Sequence, residues 1–173
     1  NGNRISYDKL MIATGSKPFV PPMDGLDTVE KKFTFMNLDS AKAVKEALDC
    51  NANSTYAAKV LIVGAGLIGL KAAEAMEHMN VQMTVIDLAD RILPSILDVD
   101  SSATMQKYIE SKGVKFILNT SVTKFDKNKA VLKTGETLDF DILILAVGVR
   151  PNTELVAEAG GKVNRGIVTD QTQ

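Results

Sequence analysis

Val60-Leu61-Ile62-Val63-Gly64-Ala65-Gly66-Leu67-Ile68-Gly69 decides the fold. An apolar run ends in a glycine loop of the form GxGxxG, and an amphipathic stretch follows, with Ile68, Ala72, Met76 and Met79 on one stripe to about Asn80. The run reads as a strand over Lys59–Val63, and the stripe has the 3.6-residue period of a helix. The three glycines do different work. Gly64 permits the tight turn, Gly66 clears space for a pyrophosphate against the backbone, and Gly69 lets the helix lie close on the strand. Free N–H groups and the helix dipole then favour phosphate. A lone GxGxxG is weak, but strand, loop, helix and second strand together are the context the motif requires.

That second strand is Val81–Ile86, and Asp87 ends it, 21 residues after Gly66. A carboxylate at this spacing accepts hydrogen bonds from the adenosine ribose hydroxyls. It would repel a 2′-phosphate, so the reading favours NAD(H) over NADP(H). Arg91, four residues on, is read as structural or as a rim contact near the adenosine.

Outward from this unit the pattern stays βα. Asn37 or Asp39 caps a helix with Leu38, Ala41, Val44 and Leu48 on one face. Asp98 or Asp100 caps another that runs to Lys112, with Gly113 in the left-handed position behind it. Val114–Leu118 reads as a strand. Val122–Phe125, Ala130–Leu132 and Thr137–Phe140 read as an antiparallel meander. Ile142–Val147 is apolar throughout, as a strand buried on both faces would be. The ends differ. Asn3–Ser6 and Lys9–Ala13 look like strands, Gly15–Leu26 like loop, Thr153–Ala159 like a short helix and Ile167–Thr169 like a strand. The fold class is therefore α/β: a Rossmann-like parallel sheet with flanking helices and an antiparallel β-meander.

The chain has 173 residues, 20 Lys+Arg against 21 Asp+Glu and a net charge of −1. That balance argues against nucleic acid or an anionic membrane as partner. The longest apolar run, Val60–Leu70, carries three glycines and falls short of the ~18 residues of a span. The single Cys50 allows no internal disulfide, CxxC pair or zinc cluster. No signal peptide is seen, and a cytoplasmic protein is expected. No metal site and no general acid, base or nucleophile stands out. His78 reads as solvated, Cys50 as idle, Met76, Met79, Met83 and Met105 as core filler, and Asp139 and Asp141 as serving the turn into the last central strand. The chain opens on Asn1 and ends at Thr172-Gln173 in what reads as mid-strand, so it is taken as a piece of a larger protein.

Several separated stretches share one resemblance: Tyr7-Asp8-Lys9-Leu10-Met11-Ile12-Ala13-Thr14-Gly15-Ser16, the loop Gly64–Gly69, Asp90-Arg91-Ile92-Leu93-Pro94, Phe140 through Asn152, and Gly166–Asp170. In these the chain resembles the FAD-dependent pyridine nucleotide–disulfide oxidoreductase superfamily, on the branch of NADH oxidases, coenzyme A-disulfide reductases, nitrite reductases and rubredoxin or ferredoxin reductases. The resemblance implies an NAD domain inserted into an FAD domain. Residues 1–34 are then a remnant of the FAD domain and a linker, 35–149 the NAD(H)-binding domain, and 150–173 a second FAD-domain remnant, with partial FAD-domain strands at both ends. It implies FAD in the intact protein and a homodimer. Gly64, Gly66, Leu67, Ile68 and Gly69 would form the pyrophosphate loop and Asp87 would hold the ribose. Val122 would lie against the adenine, and Val147 and Gly148 would line the nicotinamide end. Thr14 and Gly15 fall on the flavin side. Lys71 departs from the family, which often has Glu two residues past the third glycine. It either faces the flavin or pairs with Glu74 on the helix surface.

The expected function is to position NADH for hydride transfer to FAD, the reduced flavin passing electrons to a disulfide, oxygen, nitrite or a redox protein. A stand-alone NAD-binding sensing or scaffold module is the alternative, and a two-domain dehydrogenase acting directly on substrate is weaker still. Ile5, Leu10, Met11 and Ile12 at one end, with Ile167 and Val168 at the other, are strands without partners. They are expected to pair with each other or with a second copy as a dimer.

Overall fold

A computed structural model describes residues 2, 4–50 and 56–171. It divides into two compact units. One holds residues 18–148; the other joins residues 1–17 to 149–173.

In the larger unit the parallel sheet takes the order β2-β9-β3-β4-β5, from Lys32–Thr34, Ile142–Leu145, Ala58–Val63, Val81–Ile86 and Val114–Ile117. Every pairing is parallel. Val63 stands opposite both Leu145 and Ile86, and Ile86 opposite Ile117, so four strands finish at one level. Successive side chains of β3 go to opposite faces. Val60 and Ile62 enter one core with Val44 and Leu48 of α1 (Leu38–Asp49) and with Ala72 and Ala73 of α2 (Leu67–Ala75). Partly buried Ile109 of α3 (Val99–Ser111) packs against the same core. Leu61 and Val63 enter the other core, with the meander β6 (Val122–Asp126), β7 (Lys129–Leu132) and β8 (Thr137–Asp139). There Phe125 meets Phe140 edge to face at 6.0 Å. Burial on both faces is why Val60–Val63 of β3 and the whole of β9 read as unbroken apolar runs.

Helix starts follow the capping residues. Asn37 accepts from the Ser40 N–H in a reciprocal capping box, and Asp98 accepts from the Ser101 N–H at 2.8 Å. Helix α2 stops at Ala75, short of the expected Asn80. From there i→i+3 bonds, such as Met79 N–H to Met76 C=O, carry the chain in tighter turns. Leu38 is exposed rather than packed. Of the four methionines read as filler, Met76 and Met83 are buried, while Met79 and Met105 are exposed.

Residues 18–34, grouped by sequence with the first remnant, belong to the larger unit. The stretch read as loop over Gly15–Leu26 contains β1 (Ser16–Pro18), and a 3₁₀ turn over Leu26–Thr28 begins at its end. β2 was not foreseen. Its three residues pair with Leu143–Leu145, too short a run to show a period of its own.

Strand β1, of which Ser16 and Lys17 fall in the smaller unit, pairs with β10 (Val149–Pro151), and α4 (Glu154–Glu158) follows. The ends of the chain thus meet within one chain, through residues 16–18 and 149–151. The strands expected over Asn3–Ser6 and Lys9–Ala13 do not form among the described residues, and Asn3 lies outside them. Ile5, Leu10, Met11 and Ile12 are exposed. A strand needs a ladder to satisfy its N–H and C=O groups, and none is offered to them here. Ile167–Thr169 likewise yields one isolated bridge, Val163 to Ile167. Thr172 and Gln173 lie outside the described residues.

Candidate dinucleotide site

The site is built where β9, β3, β4 and β5 end. Gly64 continues β3 by one residue, its N–H donating to the Ile86 C=O at 2.8 Å. Its φ of 115° is open only to glycine, and a Cβ there would collide with the Ala146 carbonyl. A Cβ at Gly69 would strike the Gly64 carbonyl oxygen. The first and third glycines are therefore required by the fold itself. Gly66 is not. It has φ −81° and ψ −174°, an extended backbone any residue adopts, and a Cβ there would meet no atom within 4 Å. Its missing side chain leaves open space at the helix start, and no side chain caps α2. The first-turn N–H groups of Gly66, Leu67 and Ile68 have no carbonyl within the helix to bond. An uncapped helix start beside open space is what an anionic group needs.

Ala65 is clamped on both sides. Its N–H donates to Asp87 Oδ2 at 2.6 Å, and its C=O accepts from the Leu93 N–H at 3.0 Å. Asp87 Oδ1 accepts from the Ala89 N–H at 2.8 Å. The carboxylate that sequence assigns to a ribose is thus also a tie between the β4 turn and the glycine loop. Each oxygen keeps lone-pair capacity beyond its one bond. This structural role gave no signal in the sequence, because the fingerprint describes the ligand and not the empty loop.

Gly64, Gly66, Leu67, Ile68, Asp87, Val122, Val147 and Gly148 all line one cleft of about 690 Å³. Gly69 supports it from behind. Phe19, Pro21 and Met23 form a further wall, and Leu88, Pro94, Ser95, Thr120 and Ser121 complete the side near Asp87. Sequence reading missed these. The Pro18-Phe19-Val20-Pro21-Pro22 cluster and the Arg91–Pro94 turn were the available cues.

The flavin-side candidates lie elsewhere. Lys71 Nζ sits 2.6 Å from Glu74 on exposed helix surface, the plainer of its two readings. Thr14 and Gly15 belong to the smaller unit. The Thr14 hydroxyl donates to the Asn152 C=O at 2.7 Å, Asn152 Nδ2 donates to the Thr14 C=O at 2.9 Å, and the Asn152 N–H donates to the Gly15 C=O. Two motifs 138 residues apart are thereby joined. Arg91 pairs with Asp90 at 3.0 Å. Asp141 Oδ2 accepts from the Lys59 N–H, Asp139 pairs with Lys129, and His78 and Cys50 are exposed. Among the described residues no group of metal-ligating side chains assembles, and no helix is long and apolar enough to cross a membrane.

The model of the pyridine nucleotide-disulphide oxidoreductase family matches residues 1–173. The chain belongs to that family. Among its relatives is an NADH oxidase of Methanocaldococcus jannaschii, 35% identical over 168 residues, 95% of this chain and 36% of the relative. Among solved structures, a NAD-dependent persulfide reductase from A. fulgidus superposes with a TM-score of 0.82 at 33% identity, over 92% of this chain and 29% of that one. A water-forming NADH oxidase from Lactobacillus brevis, bound to NADH, gives 0.76 at 29% identity, over 89% and 33%. An engineered form of that oxidase, described as an NADPH oxidase and bound to NADPH, exchanges five residues: a Gly, an Asp, an Ala, a Met and a Pro at successive intervals of 18, 1, 1 and 5. The present chain thus spans about a third of the length of the relatives it matches.

Proposed function

We propose that this chain is the NADH-binding part of an FAD-dependent oxidoreductase, and that the cleft of the larger unit holds NADH. The observation that carries the reading is the uncapped start of α2, open at Gly66, in the same cleft as Asp87. The N–H groups of Gly66, Leu67 and Ile68 are assigned to the pyrophosphate, and Asp87 to the adenosine ribose. Val122 is assigned to the adenine, and Val147 and Gly148 to the nicotinamide end. Residues 1–17 and 150–173 are assigned to the flavin domain of the intact protein, and residues 18–34, which fold with the larger unit, to the linker into a nucleotide domain over 35–149. FAD supplies the flavin ring that accepts the hydride from nicotinamide. The chain's own residues bind the dinucleotide, orient it and exclude water from one side of it. The eventual acceptor is set by parts of the protein beyond these residues. The intact enzyme is proposed to work as a homodimer.

The preference for NADH over NADPH rests on Asp87, whose negative charge opposes a 2′-phosphate. The five positions exchanged in the engineered oxidase have the spacing of Gly69, Asp87, Leu88, Ala89 and Pro94 here. Gly, Asp and Pro coincide in kind. Leu88 and Pro94 line the cleft, and Leu88 is exposed, so an arginine there could reach a phosphate.

Calorimetric titration with both nucleotides tests the proposal. NADH should bind more tightly. Asp87→Ala should cost NADH about 1–3 kcal/mol, the worth of charge-assisted hydrogen bonds. Adding Leu88→Arg, Ala89→Ser and Pro94→Arg should reverse the preference. A wild-type chain that binds both equally, or prefers NADPH, refutes the assignment.

A further inference from the structure

One buried polar atom in the cleft region has no hydrogen-bond partner among the described residues. Thr120 follows β5 in the turn that leads to the meander. It is 2% exposed, and its Oγ1 is buried with no hydrogen-bond partner among the described residues. Buried hydroxyls in native proteins are nearly always satisfied, and an unmatched one calls for an explanation.

The surroundings do not supply a partner. The turn is stapled to the β4 turn entirely through backbone. The Asp87 N–H donates to the Ile117 C=O, the Asn119 N–H to the Ala89 C=O, and the Thr120 N–H to the Asp87 C=O at 3.1 Å. Asn119 takes a left-handed φ of 57° to make this possible. The Asp87 carboxylate, on the residue whose C=O takes the Thr120 N–H, bonds the Ala65 and Ala89 N–H groups and not the Thr120 hydroxyl. The backbone is thus fixed beside Asp87, the hydroxyl is left over, and Thr120 lines the same cleft as Asp87 and Val122.

We infer that the Thr120 hydroxyl is a hydrogen-bonding contact for the adenosine half of the dinucleotide, made when that half is bound. The inference rests on the NADH reading above and deepens it. A threonine hydroxyl both donates and accepts, so it suits a ribose hydroxyl or an adenine ring nitrogen equally. The staggered wells about its Cα–Cβ bond exchange hydroxyl and methyl positions with no movement of the backbone.

The test is Thr120→Val, which keeps the shape and deletes the hydroxyl, beside Thr120→Ser, which keeps the hydroxyl. NADH and ADP-ribose, which lacks the nicotinamide, are titrated into each full chain, and each ligand-free chain is melted. The expected result is an affinity loss on the order of ten-fold for Thr120→Val, equal for both ligands, with a melting temperature no lower than wild type. Thr120→Ser should bind both ligands within about three-fold of wild type, since a net hydrogen bond is worth roughly the full ten-fold. Unchanged affinity in Thr120→Val overturns the inference. So does a loss confined to NADH, or one accompanied by a lower melting temperature, since either gives the residue a different role. A wild-type chain that fails to bind NADH overturns the NADH reading itself, and this inference with it.

Discussion

Gly66→Val separates the ligand-binding glycine from the two that the fold requires. In the empty protein the valine side chain enters open space, and the extended backbone at Gly66 suits a β-branched residue. Two small effects on stability oppose each other. Losing glycine at the N-cap costs about 0.5–1 kcal/mol. Restricting the unfolded chain gains about 0.4–1 kcal/mol. The melting temperature should therefore stay within a few degrees of wild type. Binding should not survive. The added methyls stand where the pyrophosphate must approach the first-turn N–H groups. Losing two charge-assisted hydrogen bonds at about 1.5–3 kcal/mol each removes about 3–6 kcal/mol, or a hundred-fold or more in Kd. Gly69→Ala is the control. Its methyl meets the Gly64 carbonyl, so α2 must move off the sheet, at about 1–3 kcal/mol of stability. The assay is NADH titration by calorimetry paired with a thermal melt of each variant. A folded Gly66→Val chain that binds NADH as wild type does would mean that the phosphates lie elsewhere. A Gly66→Val chain that fails to fold would refute the loop geometry.

Two further outcomes follow from the scaffold. The Ser101 N–H holds the Asp98 carboxyl below the usual carboxylate range. A lowered folded pKa supplies stability above the unfolded pKa that is lost as pH falls through the folded one, so Asp98→Ala should lower the melting temperature at neutral pH. That gap should narrow as pH falls through the folded pKa, which lies below the ordinary aspartate value of about 3.9; a gap unchanged by that fall refutes the charged cap. In the smaller unit, Asn152→Ala deletes the side-chain bond to Thr14 and should speed amide exchange over residues 14–17 and 149–152. Unchanged exchange there would mean that this bond holds nothing.

The sequence was most legible where two signals coincide. β4 was placed to the residue, because Val81–Ile86 is bounded by a turn before and Asp87 behind. Asn37 and Asp98 marked helix starts because a side-chain oxygen there satisfies an N–H that nothing else reaches. Legibility failed where structure depends on a distant partner. β2 and β1 are three residues each and exist only through Leu143–Leu145 and Val149–Pro151. The converse holds for Leu10, Met11 and Ile12, which carry strand propensity and find no ladder. In the site, the glycines and Asp87 were readable because each fingerprint position has one chemical task. The hydrogen bonds of Asp87 to Ala65 and Ala89, and the Thr120 hydroxyl, were not. They depend on how the β4 and β5 turns close on each other, which no local spacing encodes.

The most direct test of the account is a crystal structure of this chain grown with NADH. It should show the pyrophosphate against the N–H groups of Gly66, Leu67 and Ile68. The adenosine ribose hydroxyls should lie within hydrogen-bond distance of the Asp87 carboxylate, with the adenine beside Val122. A dinucleotide bound outside the cleft, or one whose ribose avoids Asp87, would contradict it.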